Sequence, residues 1–213
     1  MDADKHPYRT LWTSPRIMIR TLLSKKSFWV IFALSFLGAW GAALFESVNK
    51  IGMEKSQNLD DLSNPTVAMT LVSTLLTAVF GLLVGAAIIA FFYWIIGKLF
   101  KGTGMYKDLY KGSMITSMPY FIVVPFTLIW LFGSPATYFD NEVTRSALWT
   151  VMMGLTYITA FIASVYTFVL SIVMISEVHN FSKWKAFFTM IIPTLVIVVI
   201  VIIFAVLLFS VLF

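Results

Sequence analysis

Five stretches of this chain contain no Asp, Glu, Lys or Arg: Ser27–Phe45, Leu62–Gly97, Gly112–Phe139, Ser146–Ser176 and Ala186–Phe213. A helix needs about 20 apolar residues to cross a hydrocarbon core about 30 Å thick, and each run reaches or nearly reaches that length. Backbone in lipid must satisfy its own hydrogen bonds, so runs of this kind fold as helices. Composition agrees, with 60% hydrophobic and 12% charged residues, where a soluble domain carries about 25% charged. The expectation is an all-α integral membrane protein of five transmembrane helices, with spans near 27–46, 66–98, 113–133, 146–176 and 184–213. Residues 1–26 form a separate N-terminal segment. The first run begins at residue 27 and exceeds the 7–15 residues of a signal-peptide core, so it reads as an uncleaved span.

The second run is long enough to raise the question of a hidden hairpin, but Asn64 and Pro65 sit at its start and no Asn, Asp or Pro follows inside it. Charge decides the matter. With five spans, the alternating sides collect 12 of the 15 basic residues and 4 acids on one face, against 3 basic residues and 6 acids on the other. This is the positive-inside asymmetry, and it places the N-terminus in the cytoplasm and the C-terminus outside. The net charge of +5 is then a topology signal, and no nucleic-acid surface is implied. Trp29, Trp94 and Trp184 fall near the expected inner interface and Trp130 and Trp149 near the outer one, as an aromatic belt does; Trp40 lies deeper.

Before the first span, Ser14-Pro15 reads as a helix start, with the serine as cap and the proline in the first turn. Met18, Ile19, Leu22 and Leu23 then share one face, with Arg16 and Arg20 beside it. This predicts a short amphipathic helix lying in the cytoplasmic interface. It serves either as an anchor leading into the first span or as a contact for anionic lipid or a partner. Lys98, Lys101, Lys107 and Lys111, after the second span, carry the same two readings: lipid or partner contact, or fixing of topology.

Within the spans, small residues recur. Ser73, Thr77, Gly81 and Gly85 fall at four-residue intervals in the second, and Thr156, Ala160, Ala163 and Thr167 form a comparable stripe in the fourth. Small residues let helix backbones approach closely, so both stripes are expected to pack helices inside the molecule, with a homodimer through Gly81 and Gly85 as the alternative. Pro119 and Pro125 in the third span and Pro193 in the fifth each remove a helix hydrogen bond and are expected to kink it.

Catalysis and metal binding need convergent His, Asp, Glu or Cys. Cysteine is absent and there are two histidines. His179 stands two residues from Glu177, about 200° around a helix, so the two do not share a face; a loop or helix-end role is expected of His179. Gly102-Thr103-Gly104 beside the lysines lacks the GxxxxGK[ST] order of a phosphate loop. No catalytic residue, metal site or cofactor is expected. Proton-coupled carriers place ionisable groups at membrane depth, and these spans have none.

Leu11-Trp12-Thr13-Ser14-Pro15-Arg16, followed by Ile19-Arg20 and Leu22-Leu23, resembles the start of bacterial members of the Yip (Ypt/Rab-interacting protein) domain family. The passage from the second span through Gly97-Lys98, Tyr106, Tyr110 and Ser113 to Ser117-Met118-Pro119-Tyr120 resembles that domain's middle. The resemblance implies an all-helical membrane domain with a non-enzymatic role in the cell membrane, a bacterial plasma membrane in this case. Eukaryotic relatives bind small GTPases and support vesicle traffic, and this chain departs from them in lacking their long cytoplasmic N-terminal region and its Tyr-Gly-Pro motif. Some bacterial relatives resemble accessory proteins of ABC exporters, including ones that protect against antimicrobial peptides. The expected function is therefore a membrane scaffold or accessory protein that contacts the lipid bilayer and a membrane-protein partner or a second copy. The alternative is a small carrier or channel for an apolar or lipid-like molecule.

Overall fold

A computed structural model describes residues 7–56, 66–140 and 143–212. Two short helices, α1 (Pro7–Thr13) and α2 (Pro15–Lys25), lead into the long α3 (Phe28–Ser56). Next come α4 (Val67–Phe80), a π-helical turn at Gly81–Gly85 and α5 (Ala86–Leu99), which run on as one rod. The chain returns through α6 (Tyr106–Ile115), a 3-10 segment (Met118–Ile122) and α7 (Val124–Gly133). A short α8 (Pro135–Phe139) precedes the two long helices α9 (Ala147–His179) and α10 (Lys183–Leu212). Among the described residues there is no strand. Among the described residues, four helices are long and apolar enough to cross a membrane: Phe28–Val48, Val67–Leu99, Ala147–His179 and Lys183–Ile203. A fifth crossing exists if Tyr106–Ile122 and Val124–Gly133, bent by 51° from each other, count as one span.

That bend falls at Val123, between Pro119 in the 3-10 segment and Pro125 in the first turn of α7. Proline lacks the N–H that would continue the helical ladder, so two prolines six residues apart leave the chain free to turn there. Pro193 lies buried within α10, which is helical on both sides of it.

The helix α3 packs closely against the 3-10 segment, and two glycines of α3 permit it. A Cβ on Gly38 would stand 2.6 Å from the Met118 Cα, and one on Gly41 would collide with the Tyr120 carbonyl. Across the same contact the Ser117 hydroxyl donates to the Ser35 carbonyl (3.3 Å). Thr156, Ala160 and Ala163 of α9 are buried, and the two alanines pack with Val123. Gly81 and Gly85 differ: no atom lies within 4 Å of a Cβ built on either one. Intramolecular close packing is therefore not what these two glycines do, since their Cα faces open space.

The helix α2 forms where Ser14-Pro15 marks its start, with Pro15 at its first position and no side-chain cap bond from Ser14. Its apolar face is not left for lipid. Met18, Ile19 and Leu22 are 0–1% exposed and join the main core with Leu109, Met114 and Met174. Trp130 also departs from the expected belt. It is 1% exposed, packs edge-on to Tyr138, and donates its indole N–H to Thr137 Oγ1 (3.1 Å). Trp40 is held by Thr74 Oγ1, which accepts its indole N–H at 3.2 Å. Trp29 and Trp184 are exposed.

Candidate functional site

The three basic segments of the sequence meet at one end of the bundle. Arg16 and Arg20 project from successive turns of α2, and their Nε atoms contact the two oxygens of the Glu177 carboxylate near the end of α9. The Glu177 side chain is 6% exposed, whereas the arginine side chains are 54% and 69% exposed. A carboxylate that buried needs a countercharge, and α2 supplies two. Arg16 and Arg20 are thus ion-paired within the chain, with their outer faces still open. Tyr166 fastens the preceding segment by donating its hydroxyl to the Leu11 carbonyl (2.5 Å).

His179, the last residue of α9, points the other way, into the α5–α6 loop. Its Nδ1 accepts the backbone N–H of Gly104 (3.2 Å), so Nε2 carries the proton and donates to the Tyr93 carbonyl (3.2 Å). The ring stacks on Phe181, with centroids 5.1 Å apart. A Cβ at Gly97 or Gly102 would overlap the ring, and one at Gly104 would stand 2.9 Å from Nδ1. Three glycines therefore form a cradle for one buried imidazole. Thr103 completes the junction, donating its N–H to the His179 carbonyl (3.1 Å). The helix ends at Asn180, whose φ of 54° is a left-handed cap that Asn tolerates. Among the described residues, no group of three or more His, Asp or Glu is placed to hold a metal ion.

Of the four lysines after the second span, Lys98, Lys101 and Lys107 are exposed around this cradle. Lys111 is half-buried and donates to the Lys26 carbonyl (3.3 Å), tying α6 to the start of α3.

A second feature lies deeper. The N–H of Ala86 bonds the Gly81 carbonyl, five residues back, and this makes the π turn. The α6 helix braces that turn: Tyr110 donates its hydroxyl to the Leu83 carbonyl (2.8 Å) and Tyr106 to the Ala87 carbonyl (3.1 Å), with their rings stacked at 6.2 Å. Beside the turn is a cavity of about 330 Å³ whose lining includes Thr77, Gly81 and Gly85 on one side and Thr167 of α9 on another. The two small-residue stripes thus reach this space at those positions. Ser73 is exposed higher on α4, its hydroxyl donating to the Thr70 carbonyl (3.1 Å).

Sequence reading missed the role of Glu177, the cradle around His179 and the two tyrosines. The tyrosines carried a signal, since positions 106 and 110 share a helix face. Gly97, Gly102 and Gly104 were visible as a cluster, but nothing in their spacing names a histidine 75 residues away.

The Yip1 domain matches residues 9–206. No curated protein matches the chain. No solved structure matches it. The matched region takes in α2, the braced π turn and the cradle together, and the chain belongs to the Yip1 domain family.

Proposed function

We propose that this protein is a non-enzymatic membrane scaffold or accessory subunit, one that assists the assembly or activity of another membrane protein such as an ABC exporter. In this reading it crosses a bacterial plasma membrane five times, with the α2 end in the cytoplasm. The observation that carries it is the use made of the ionisable groups. Glu177 serves two arginines and His179 serves two backbone groups, so both are committed to joining helix ends. The four long spans carry charge only in their end turns, and a protein built this way offers surfaces in place of reacting groups. Arg16, Arg20, Lys98, Lys101 and Lys107 present their exposed charge around that end, toward anionic lipid or an acidic face of a partner.

Crosslinking in native membranes, followed by purification in mild detergent, tests the reading. A stable membrane-protein partner or a homo-oligomer is the expected product, reduced when Lys98, Lys101 and Lys107 are changed to Glu. A monomer with no partner overturns it.

A small carrier or channel for an apolar or lipid-like molecule is the second reading, favoured by the 51° break between Pro119 and Pro125. It requires flux or lipid transfer in liposomes that contain the purified protein alone. Inert liposomes count against it.

A further inference from the structure

The cavity beside the π turn is walled by Ala39, Ala42 and Ala43 of α3 and by Gly81 and Gly85, and it reaches Ser113 of α6 and Thr167 of α9. Most of its lining is apolar, which makes the polar atoms in it informative. Ser113 is 8% exposed, and its hydroxyl has no hydrogen-bond partner in the protein. The Thr167 hydroxyl is likewise buried without one. Helical Ser and Thr ordinarily turn the hydroxyl back onto a carbonyl three or four residues earlier. Neighbouring Thr116 and Ser117 do so, to Ser113 and Met114 (2.8 Å each). Ser113 and Thr167 do not, so two buried donors stay unused in residues that line an apolar space.

The geometry of the opening limits the occupant. Gly81 and Gly85 line the cavity and meet no atom of a neighbouring element within 4 Å of a built Cβ, so its wall at the π turn borders open space. Phe80 and Val84 beside them are exposed on the apolar flank of the bundle. A volume of about 330 Å³ is at the small end of ligand sites and cannot admit a helix about 10 Å across. A chain-like apolar molecule fits. Two unused hydroxyl donors ask for an acceptor oxygen, and a lining this apolar disfavours an ionised carboxylate there. An ester carbonyl meets both conditions and a free fatty acid does not.

We propose that the cavity between α3, the π turn and α6 binds one ester-linked acyl chain of a bilayer lipid, whose carbonyl accepts from Ser113. The test uses the full chain in phosphatidylcholine vesicles doped with phosphatidylcholine that carries a diazirine on one acyl chain. After irradiation, mass spectrometry locates the adducts. They are expected on Ala42, Ala43 and Ser113 in preference to the exposed face of α10. Gly85→Leu fills the cavity where no atom stands in its way and lowers those adducts at least fivefold. Gly81→Leu fills it independently and does the same if Gly85→Leu fails to fold. Ser113→Ala breaks no hydrogen bond in the fold and lowers them at least twofold. A diacylglycerol probe labels the same residues, since the ester is shared. Adducts spread evenly over exposed helix faces, or unchanged in both leucine variants, overturn the site. Equal labelling by a fatty-acid probe overturns the ester assignment, and crosslinks between two copies at Gly81 and Gly85 in place of lipid adducts overturn the occupant.

Discussion

Tyr110 donates its hydroxyl to the carbonyl of Leu83 at 2.8 Å, and so fastens α6 to the π turn in the middle of the 33-residue apolar rod Val67–Leu99. A π turn shifts the backbone ladder from four residues to five and leaves carbonyls that need another donor. Tyr106 and Tyr110, one helical turn apart, supply two.

Tyr110→Phe removes that donor and keeps the ring. The expected loss of stability is about 0.6–1 kcal/mol, the size of a single hydrogen bond in a membrane helix bundle. The more specific readout is amide exchange in detergent, which should accelerate for residues 81–87 and stay unchanged in α9. Unaltered exchange in the turn would mean that its geometry is set by the helix alone.

The two arginines on Glu177 make a prediction about non-additivity. Arg16→Ala or Arg20→Ala alone leaves the buried carboxylate with one partner, and each should cost no more than about 1 kcal/mol, as exposed ion-pair partners do. The double variant strands the charge and should cost about 3 kcal/mol. Adding Glu177→Gln to the double variant should recover much of the loss, because the amide carries no charge to strand. Thermal unfolding of the parent protein and these four variants measures the cycle and the rescue. Simple additivity would show that the carboxylate finds other compensation.

Because the chain has no native cysteine, single cysteines report sidedness directly. Ser182→Cys, in the exposed turn between α9 and α10, should resist an impermeant maleimide applied to whole cells. Asn58→Cys and Asn141→Cys, at positions outside the described residues, should react. The reverse pattern would turn the proposed topology over and place the basic end of the bundle outside.

How much of this was legible beforehand follows from what hydrophobicity measures. The runs without charge mark the long helices, and Ser14-Pro15 marks the start of α2, because both signals are local. The grouping of basic segments was legible too: Arg20 meets Glu177, Thr103 meets His179, and Lys111 meets Lys26 at one end. Direction within a helix was not legible. Lipid is as apolar as Leu, so an apolar residue reads the same whether it faces lipid or protein. Met18 and Trp130 therefore looked interfacial and are core. Small residues state where an approach is possible and not who approaches. Gly38 and Gly41 receive the 3-10 segment, while the more conspicuous Gly81-Leu-Leu-Val-Gly85 opens onto a cavity.

The cradle of His179 yields a suppressor test. Gly97 has no side chain because the imidazole occupies the place of its Cβ. Gly97→Ala must push the ring away, and the ring is held from both nitrogens; an overpacked core position typically costs 1–3 kcal/mol. His179→Ala relieves the crowding but leaves the Gly104 N–H and the Tyr93 carbonyl without the ring, a separate penalty of about 1–3 kcal/mol. The two losses have one cause in common, so the double variant should be more stable than the sum of the single losses predicts, by at least about 1 kcal/mol, within the range of coupling between residues in contact. Melting temperatures of the three variants in one detergent decide it. If the losses simply add, the alanine methyl group and the imidazole do not compete for the same space, and the close fit between α5 and the end of α9 is wrong.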